Sequence, residues 1–258
     1  MFRHFKRLRA AVGLVCAMCV AFSQPLMAMR VSPMVAEMEV RGGSSVVRLE
    51  VQNINPGRLA FETRIYRVEI DENGAATETP ADDDFLVFPP QGILPPGGRQ
   101  VVRIQWVGDL EIPTSQAYYV SIEQLPVAFE PVEGDELAAK VQVLYNLRAL
   151  VVVSPPGASP DVAAENVVSA TYEVPPPAGS DAEPLEVSGL KITLKNDGRR
   201  HALMSAFSWK LVGTDPEGNF LRVDLSPQEL AQVVGSGYVP ALGKRTFNLP
   251  VSGFGDEP

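Results

Sequence analysis

Beyond its first 28 residues the chain has no cysteine, and its one histidine there is His201; Cys16, Cys19 and His4 all lie in the opening segment. Without cysteine, no disulfide can brace residues 29–258 in an oxidising compartment, so the fold must rest on apolar cores. A serine or cysteine nucleophile needs an imidazole base beside it, and only His201 is available for that; a zinc set of three or four His/Cys ligands cannot be assembled at all. No glycine-rich loop follows a strand pattern, which removes a phosphate cradle. His201 follows directly on a turn and reads as a solvated or capping side chain. Asp82-Asp83-Asp84 is short of the six or more oxygens that a calcium cage needs, and reads as a solvated acidic loop. No metal, cofactor or catalytic group is therefore expected, and a binding protein is expected rather than an enzyme.

Acidic residues are absent before Glu37, while Arg3, Lys6, Arg7 and Arg9 form a basic head on the apolar run Ala10 to Phe22. Ser23-Gln24-Pro25 and a stretch ending at Ala28 complete the order of a bacterial secretory signal. The run is shorter than the roughly 20 apolar residues of a spanning helix, so stable membrane insertion is not expected. Cleavage after Ala28 predicts a secreted, periplasmic product; the plainer reading is a buried N-terminal helix. Removing residues 1–28 leaves 18 Lys+Arg against 31 Asp+Glu, a net charge of −13. Such a balance argues against nucleic acid or an anionic membrane surface as partner. The remaining length suits two domains of ordinary size.

Long helical periodicity is nearly missing, and Pro and Gly punctuate short alternating runs. Val47, Leu49 and Val51 share a face opposite Arg48 and Glu50; Val102, Ile104 and Trp106 share one opposite Arg103 and Gln105. Tyr66, Val68 and Ile70 lead to an Asn73-Gly74 hairpin turn. Tyr118, Val120 and Ile122 give a further strand closed by Pro126. Many short strands at regular spacing predict an all-β sandwich or barrel. Residues 154–160, rich in Pro, Ser and Gly, predict a stiff extended linker and a domain boundary. After it come a Pro175 to Ser180 loop, strands over Leu190 to Leu194, His201 to Leu211, Phe220 to Leu225 and Lys244 to Leu249, and a turn at Glu217-Gly218-Asn219. Ser226, Pro227 and Glu229 mark the start of a single short helix reaching Val234.

Lys140 to Val153 is the unusual segment. Val141, Val143, Tyr145, Leu147, Ala149, Val151 and Val153 lie on one face, yet the other face carries Leu144, Leu150 and Val152 beside Gln142, Asn146 and Arg148. Two readings fit equally. It is a central strand buried on both faces, or an edge strand, otherwise an aggregation hazard, that is lent to another protein by strand addition.

An ordered series of residues now resembles a family. Val31-Ser32-Pro33 is followed by Leu49-Glu50-Val51-Gln52-Asn53 and Thr63-Arg64-Ile65-Tyr66-Arg67-Val68. Next come Phe85-Leu86-Val87-Phe88-Pro89-Pro90, the run from Ile93 to Ile104, the run from Tyr118 to Pro126, and Leu150-Val151-Val152-Val153-Ser154-Pro155. In that order the first half resembles the PapD-like periplasmic pilus chaperones of the chaperone–usher pathway. In the second half, Leu194 to Ala202 and Gly243 to Pro250 also fit, more thinly.

The resemblance implies two immunoglobulin-like β-sandwich domains in an L-shaped arrangement. Residues 1–28 would be the signal peptide, 29–153 the pilin-binding domain, 154–160 the linker and 161–258 the second domain. It also implies donor-strand complementation: the last strand of the first domain fills a pilin's groove until an outer-membrane usher replaces it with another subunit. The groove-filling side chains would be Val141, Val143, Tyr145 and Leu147. Between deliveries, self-association would hide such a strand. Better-known members hold the pilin's terminal carboxylate with an arginine and a lysine. Those positions fall at Met34 or Val35 and at Leu150, so the candidate anchors become Arg30, Lys140 and Arg148. The rival reading is a structural or adhesive surface protein with tandem immunoglobulin-like domains.

Mass spectrometry of a periplasmic extract should find the chain starting near Met29; an intact N-terminus recovered with the membrane fraction would overturn the export reading.

Overall fold

The computed structural model describes residues 29–127, 143–174, 176, 183–214 and 220–250. The segment 1–28 read as a secretory signal, the Glu217 to Asn219 turn and all of the Pro175 to Ser180 loop except Pro176 lie outside these. Apart from short 3-10 turns and one helix, the regular elements described are strands, so the chain is all-β.

In the first half the strands are β1 (Met29–Ser32), β2 (Val35–Glu39), β3 (Val46–Asn53), β4 (Leu59–Ile70), β5 (Ala76–Pro80), β6 (Phe85–Phe88), β7 (Gln91–Leu94), β8 (Arg99–Trp106), β9 (Gln116–Gln124) and β10 (Asn146–Ser154). They form two sheets, one in the order β1-β3-β8-β6 and the other β2-β10-β9-β4-β5, with β7 also on β4. The chain changes sheet at Pro33: β1 lies antiparallel to β3, whereas β2 lies parallel to β10. The predicted alternation holds, with Leu49, Val51, Val102, Ile104 and Trp106 buried between the sheets. Phe85, Trp106 and Tyr118 meet edge to face at centroid separations of 4.8–5.7 Å, the geometry that ring quadrupoles favour. The β4–β5 hairpin turns where expected: Asp71 Oδ1 accepts from the amides of Asn73 and Ala75, and Gly74 supplies φ +93°.

The acidic run at 82–84 is structural rather than merely solvated. Asp82 accepts from the Ile65 amide and pairs with Arg64 at 3.1 Å, while Asp84 accepts from the Tyr118 hydroxyl. Burial, followed by the Asp84 charge, pushes the Tyr118 phenol above its ordinary range.

The second half contains β11 (Val162–Val174), β12 (Leu185–Asn196), β13 (Ala202–Leu203), β14 (Trp209–Thr214), β15 (Phe220–Leu225), helix α1 (Pro227–Val234), β16 (Tyr238–Val239) and β17 (Gly243–Pro250). β11, β12 and β17 form one sheet, and β13–β16 and β14–β15 are separate pairs. Ile192, Leu194, Trp209, Leu225, Leu230, Val239, Phe247 and Leu249 form its core. α1 starts as read: Ser226 and Glu229 make a reciprocal capping box, with Pro227 in the first turn.

Two expectations need correction. Residues 201–211 are not one strand: Met204–Ala206 form a 3-10 turn between β13 and β14, tied by Met204 N donating to Gly237 O and Trp209 Nε1 to Met204 O. Nor is the linker an extended spacer. Ser154 and Pro155 are buried, Ala158 N turns back onto Pro155 O, and Asp197 N donates to Asp161 O. The segment is a turn laid against the 197–200 loop.

A buried asparagine performs the same task in each half. Asn53 Nδ2 donates to the carbonyls of Gly57, Leu94 and Pro95 at 2.8–3.1 Å, while its Oδ1 accepts from Asn55 N. Asn196 Nδ2 donates to Arg200 O and Pro240 O, and its Oδ1 accepts from Asp161 N and Gly198 N. Each ties the turn after a strand to the loop before that strand's neighbour, β3 to β8 and β12 to β17. Both side chains are fully buried, so truncation leaves several backbone groups without partners. Asn53→Ala should therefore lower unfolding free energy by about 1–3 kcal/mol in urea titrations. Asn53→Asp, which cannot donate, should also destabilise; unchanged midpoints would contradict this role.

Candidate functional site

Strand β10 carries the unusual segment, and it combines both readings. It pairs antiparallel with β9 along its whole length, Asn146 opposite Glu123 through Val153 opposite Gln116. β2 covers its other side only from Leu150 to Ser154. Ala149 and residues 150–153 are buried, while Asn146 and Arg148 are exposed. The C-terminal part is thus a central core strand, and the N-terminal part is an edge.

Hydrogen-bond parity defines what that edge offers. Gln124 N donates to Tyr145 O, so the odd-numbered residues of β10 face β9; Leu150 N donates to Met34 O, so the even-numbered ones face β2. Where β2 stops, the amides and carbonyls of Asn146 and Arg148 point outward. Among the described residues, no strand pairs with them.

Apolar side chains on both faces of β10 have separate causes. The odd-numbered Ala149, Val151 and Val153 enter the first core. The even-numbered Leu150 and Val152 join Val68, Ala117 and Tyr238 in a third apolar cluster, with Val35, Ile70, Tyr119 and Leu203 packed on it. Since Leu203 and Tyr238 come from the second half, that cluster is the apolar contact between the halves.

The sequence-predicted residues separate accordingly. Val143 (59%) and its neighbour Leu144 (47%) are exposed just ahead of β10. Tyr145 and Leu147 are half-buried against the first core, so they contribute to the protein's own packing. Val141 and Lys140 lie outside the described residues. Arg148 is exposed beside the edge and pairs with Glu78. Arg30, exposed on β1, belongs to the other sheet, so these two cations do not share a face. The positions counted for the two family anchors do come together. Val35 is the register partner of Leu150, and both are apolar residues of the contact between halves.

His201 corrects the sequence reading. It is 2% exposed, its ring stacked on Tyr238 at 5.7 Å between centroids. Its backbone amide donates to Ser115 Oγ at 2.7 Å. Nε2 lies 3.0 Å from Glu37 Oε1, in an alignment that does not make a hydrogen bond. The same carboxylate oxygen accepts from Arg200 Nη2 at 3.0 Å. Nearby, Arg199 Nε donates to Pro113 O and Ser115 N to Arg199 O. One loop of the second half thus holds β2 and the approach to β9. No sequence pattern signals it, because Glu37 and Arg200 lie 163 residues apart.

Among the described residues there is no group of acidic, His or Cys side chains that could hold a metal, and no helix long and apolar enough to cross a membrane. No protein-family model matches the sequence, and neither does any curated protein. Similar solved structures include a chain of the CsuC–CsuE chaperone–tip adhesion subunit pre-assembly complex from the archaic chaperone–usher Csu pili of Acinetobacter baumannii. It is 12% identical, with 85% of this chain and 89% of that one covered, at a TM-score of 0.48. A chain of the complex between the Salmonella enterica SafA pilin and the SafB chaperone is 15% identical, with 88% and 86% covered and a TM-score of 0.49. The E. coli chaperone DraB is 14% identical, with 87% and 85% covered and a TM-score of 0.46.

Burial holds the His201 pKa down to about 4, with the Glu37 charge pulling upward and Arg200 downward. The unfolded chain therefore takes this proton first as pH falls. Stability should decline from about pH 6.5, the unfolded value, until the folded value near 4. Thermal melts across that window should show a shallower decline for His201→Gln than for the parent; equal slopes would remove His201 as the cause.

Proposed function

We propose that the protein is a periplasmic chaperone of pilus subunits that works by lending the N-terminal part of β10 to a subunit lacking a strand. The signal segment 1–28 would be removed on export. Residues 29–153 would form the subunit-binding domain, joined through 154–160 to a second domain over 161–258. The observation that carries the reading is the half-covered strand, with outward backbone groups at Asn146 and Arg148 and exposed Val143 and Leu144 ahead of them. A strand that continues a buried core strand arrives already extended, so little ordering entropy remains to be lost on capture. Backbone bonds along the edge give affinity, and side chains at alternate positions give specificity.

Val143, with Val141 before it, is the side chain that has most to gain, because it is largely exposed in the free protein. Full burial in a subunit's groove is worth roughly 1.5–3 kcal/mol. Tyr145 and Leu147 continue the same face and would bridge the protein's own core and the captured subunit. Delivery to an outer-membrane usher would follow by exchange of this strand for one from another subunit. No reaction, metal or cofactor enters such a mechanism. A pairing of two free copies through the same edge would be its resting form.

Val143→Asp should leave the isolated protein folded, with an unchanged melt, while abolishing co-purification of a co-expressed subunit, since a carboxylate buried without a partner is costly. Val167→Asp, at an exposed position on β11, is the control and should not affect capture. A Val143→Asp protein that unfolds on its own, or captures normally, would sink the proposal. The backbone can be probed separately. Arg148→Pro should capture at least ten-fold less subunit than Arg148→Ala, because proline removes an amide that faces away from β9. Equal capture by the two variants would mean that this edge is not used.

A further inference from the structure

The extent of the open edge depends on where β2 begins to cover β10, and β2 is itself weakly placed. It is the edge strand of its sheet, with β10 as its one strand partner among the described residues. Its C-terminal end is secured by Met38, and by Val40 just beyond it, both 2% exposed in the first core. Its N-terminal half has different supports. Val35, opposite Leu150, lies in the apolar cluster between the halves, and the Leu150 amide donates to Met34 O. Glu37, the middle residue opposite Val152, receives Arg200 on its carboxylate at 3.0 Å beside His201. Asn196 holds the loop that presents those two residues, through its bonds to Gly198 N and Arg200 O.

We infer that Arg200, presented by the second half, acts through Glu37 as a latch that keeps the N-terminal end of β2 on β10 and so sets where the open edge ends. With the latch made, β10 exposes its outward backbone groups as far as Arg148. With it broken, β2 frays from Met34, and Leu150 and then Val152 join the open edge, while Met38 and Val40 keep the far end in place. Arg200 and Glu37 are positioning residues here: they act through β2, not through contact with a partner. The functional meaning rests on the strand-lending role proposed above, but the latch is a property of the protein alone and is tested without a subunit.

Parity provides the readout. The amides of Leu150 and Val152 face β2, whereas those of Ala149 and Val151 face β9 in the same strand. Residue-resolved amide exchange on the full protein under native conditions therefore reports the two sides separately. Glu37→Gln and Arg200→Gln should each speed exchange at Leu150, and less so at Val152, by about two- to five-fold, the upper part of the range for a partly exposed ion pair. Ala149 and Val151 should remain at the parent rate, and Arg200→Lys should remain near the parent at all four. A uniform rise on both sides of β10 would mean general destabilisation and would overturn the latch, as would unchanged rates at Leu150. Failure of subunit capture would leave this exchange pattern untouched, so the two proposals can fail independently.

Discussion

The unequal coverage of β10 is the constraint on which the rest of the structure depends. One neighbour, β9, runs its full length; the other, β2, arrives only after the chain has changed sheets at Pro33. Because the strand is buried from Ala149 onward, while before it only the odd-numbered side chains touch the core, one segment serves as core, as the contact between halves, and as an open edge. Its residues sort by parity as well as by position. Odd-numbered side chains fill the first sandwich, and even-numbered ones meet the second half until that half no longer covers them. The absence of cysteine beyond residue 28 makes this packing more consequential. The segment that bears the edge must also help to hold two halves that have no covalent staple.

Much of this was legible from the sequence because a sheet writes its geometry in period two. Alternation at 47–51 and 101–106 located strands β3 and β8 and their inward faces, and Asn73-Gly74 located a hairpin; the run 66–70 located β4, but its Val68 and Ile70 face the second half, while Phe61 and Ile65 fill the first core. The start of α1 was readable from Ser226, Pro227 and Glu229, since capping chemistry is local. The segment at 140–153 was ambiguous for a physical reason: apolar residues on both faces are required by a central strand and by a lent one alike. The structure divides them near Ala149, a boundary set by where β2 begins and therefore invisible to local pattern.

What the sequence did not reveal lies in contacts between distant segments. His201 looked like a solvated side chain after a turn, but Tyr238, Ser115 and Glu37 bury it from three other elements. The run 201–211 has the composition of one strand, yet the Gly237 carbonyl captures the Met204 amide and bends it. The proline-rich stretch after Ser154 looked like a spacer and is instead drawn against the 197–200 loop. In each case a nonlocal partner overrides a local preference. The two asparagines, by contrast, had a weak sequence trace: each ends an alternating strand just before a turn, Asn53 ahead of Pro56-Gly57 and Asn196 ahead of Asp197-Gly198.

The gradient of burial along β10 also bears on how such a molecule can change over generations. Substitutions at 150–153 disturb two packed faces at once, so most are removed by their effect on folding before any effect on binding is felt. Toward Val143 the same strand has progressively less to do with the protein's own stability. New recognition can therefore arise at one end of a strand whose other end stays fixed. On the strand-lending role proposed above, drift in partner choice and persistence of architecture would not compete, because they would occupy successive residues of a single element.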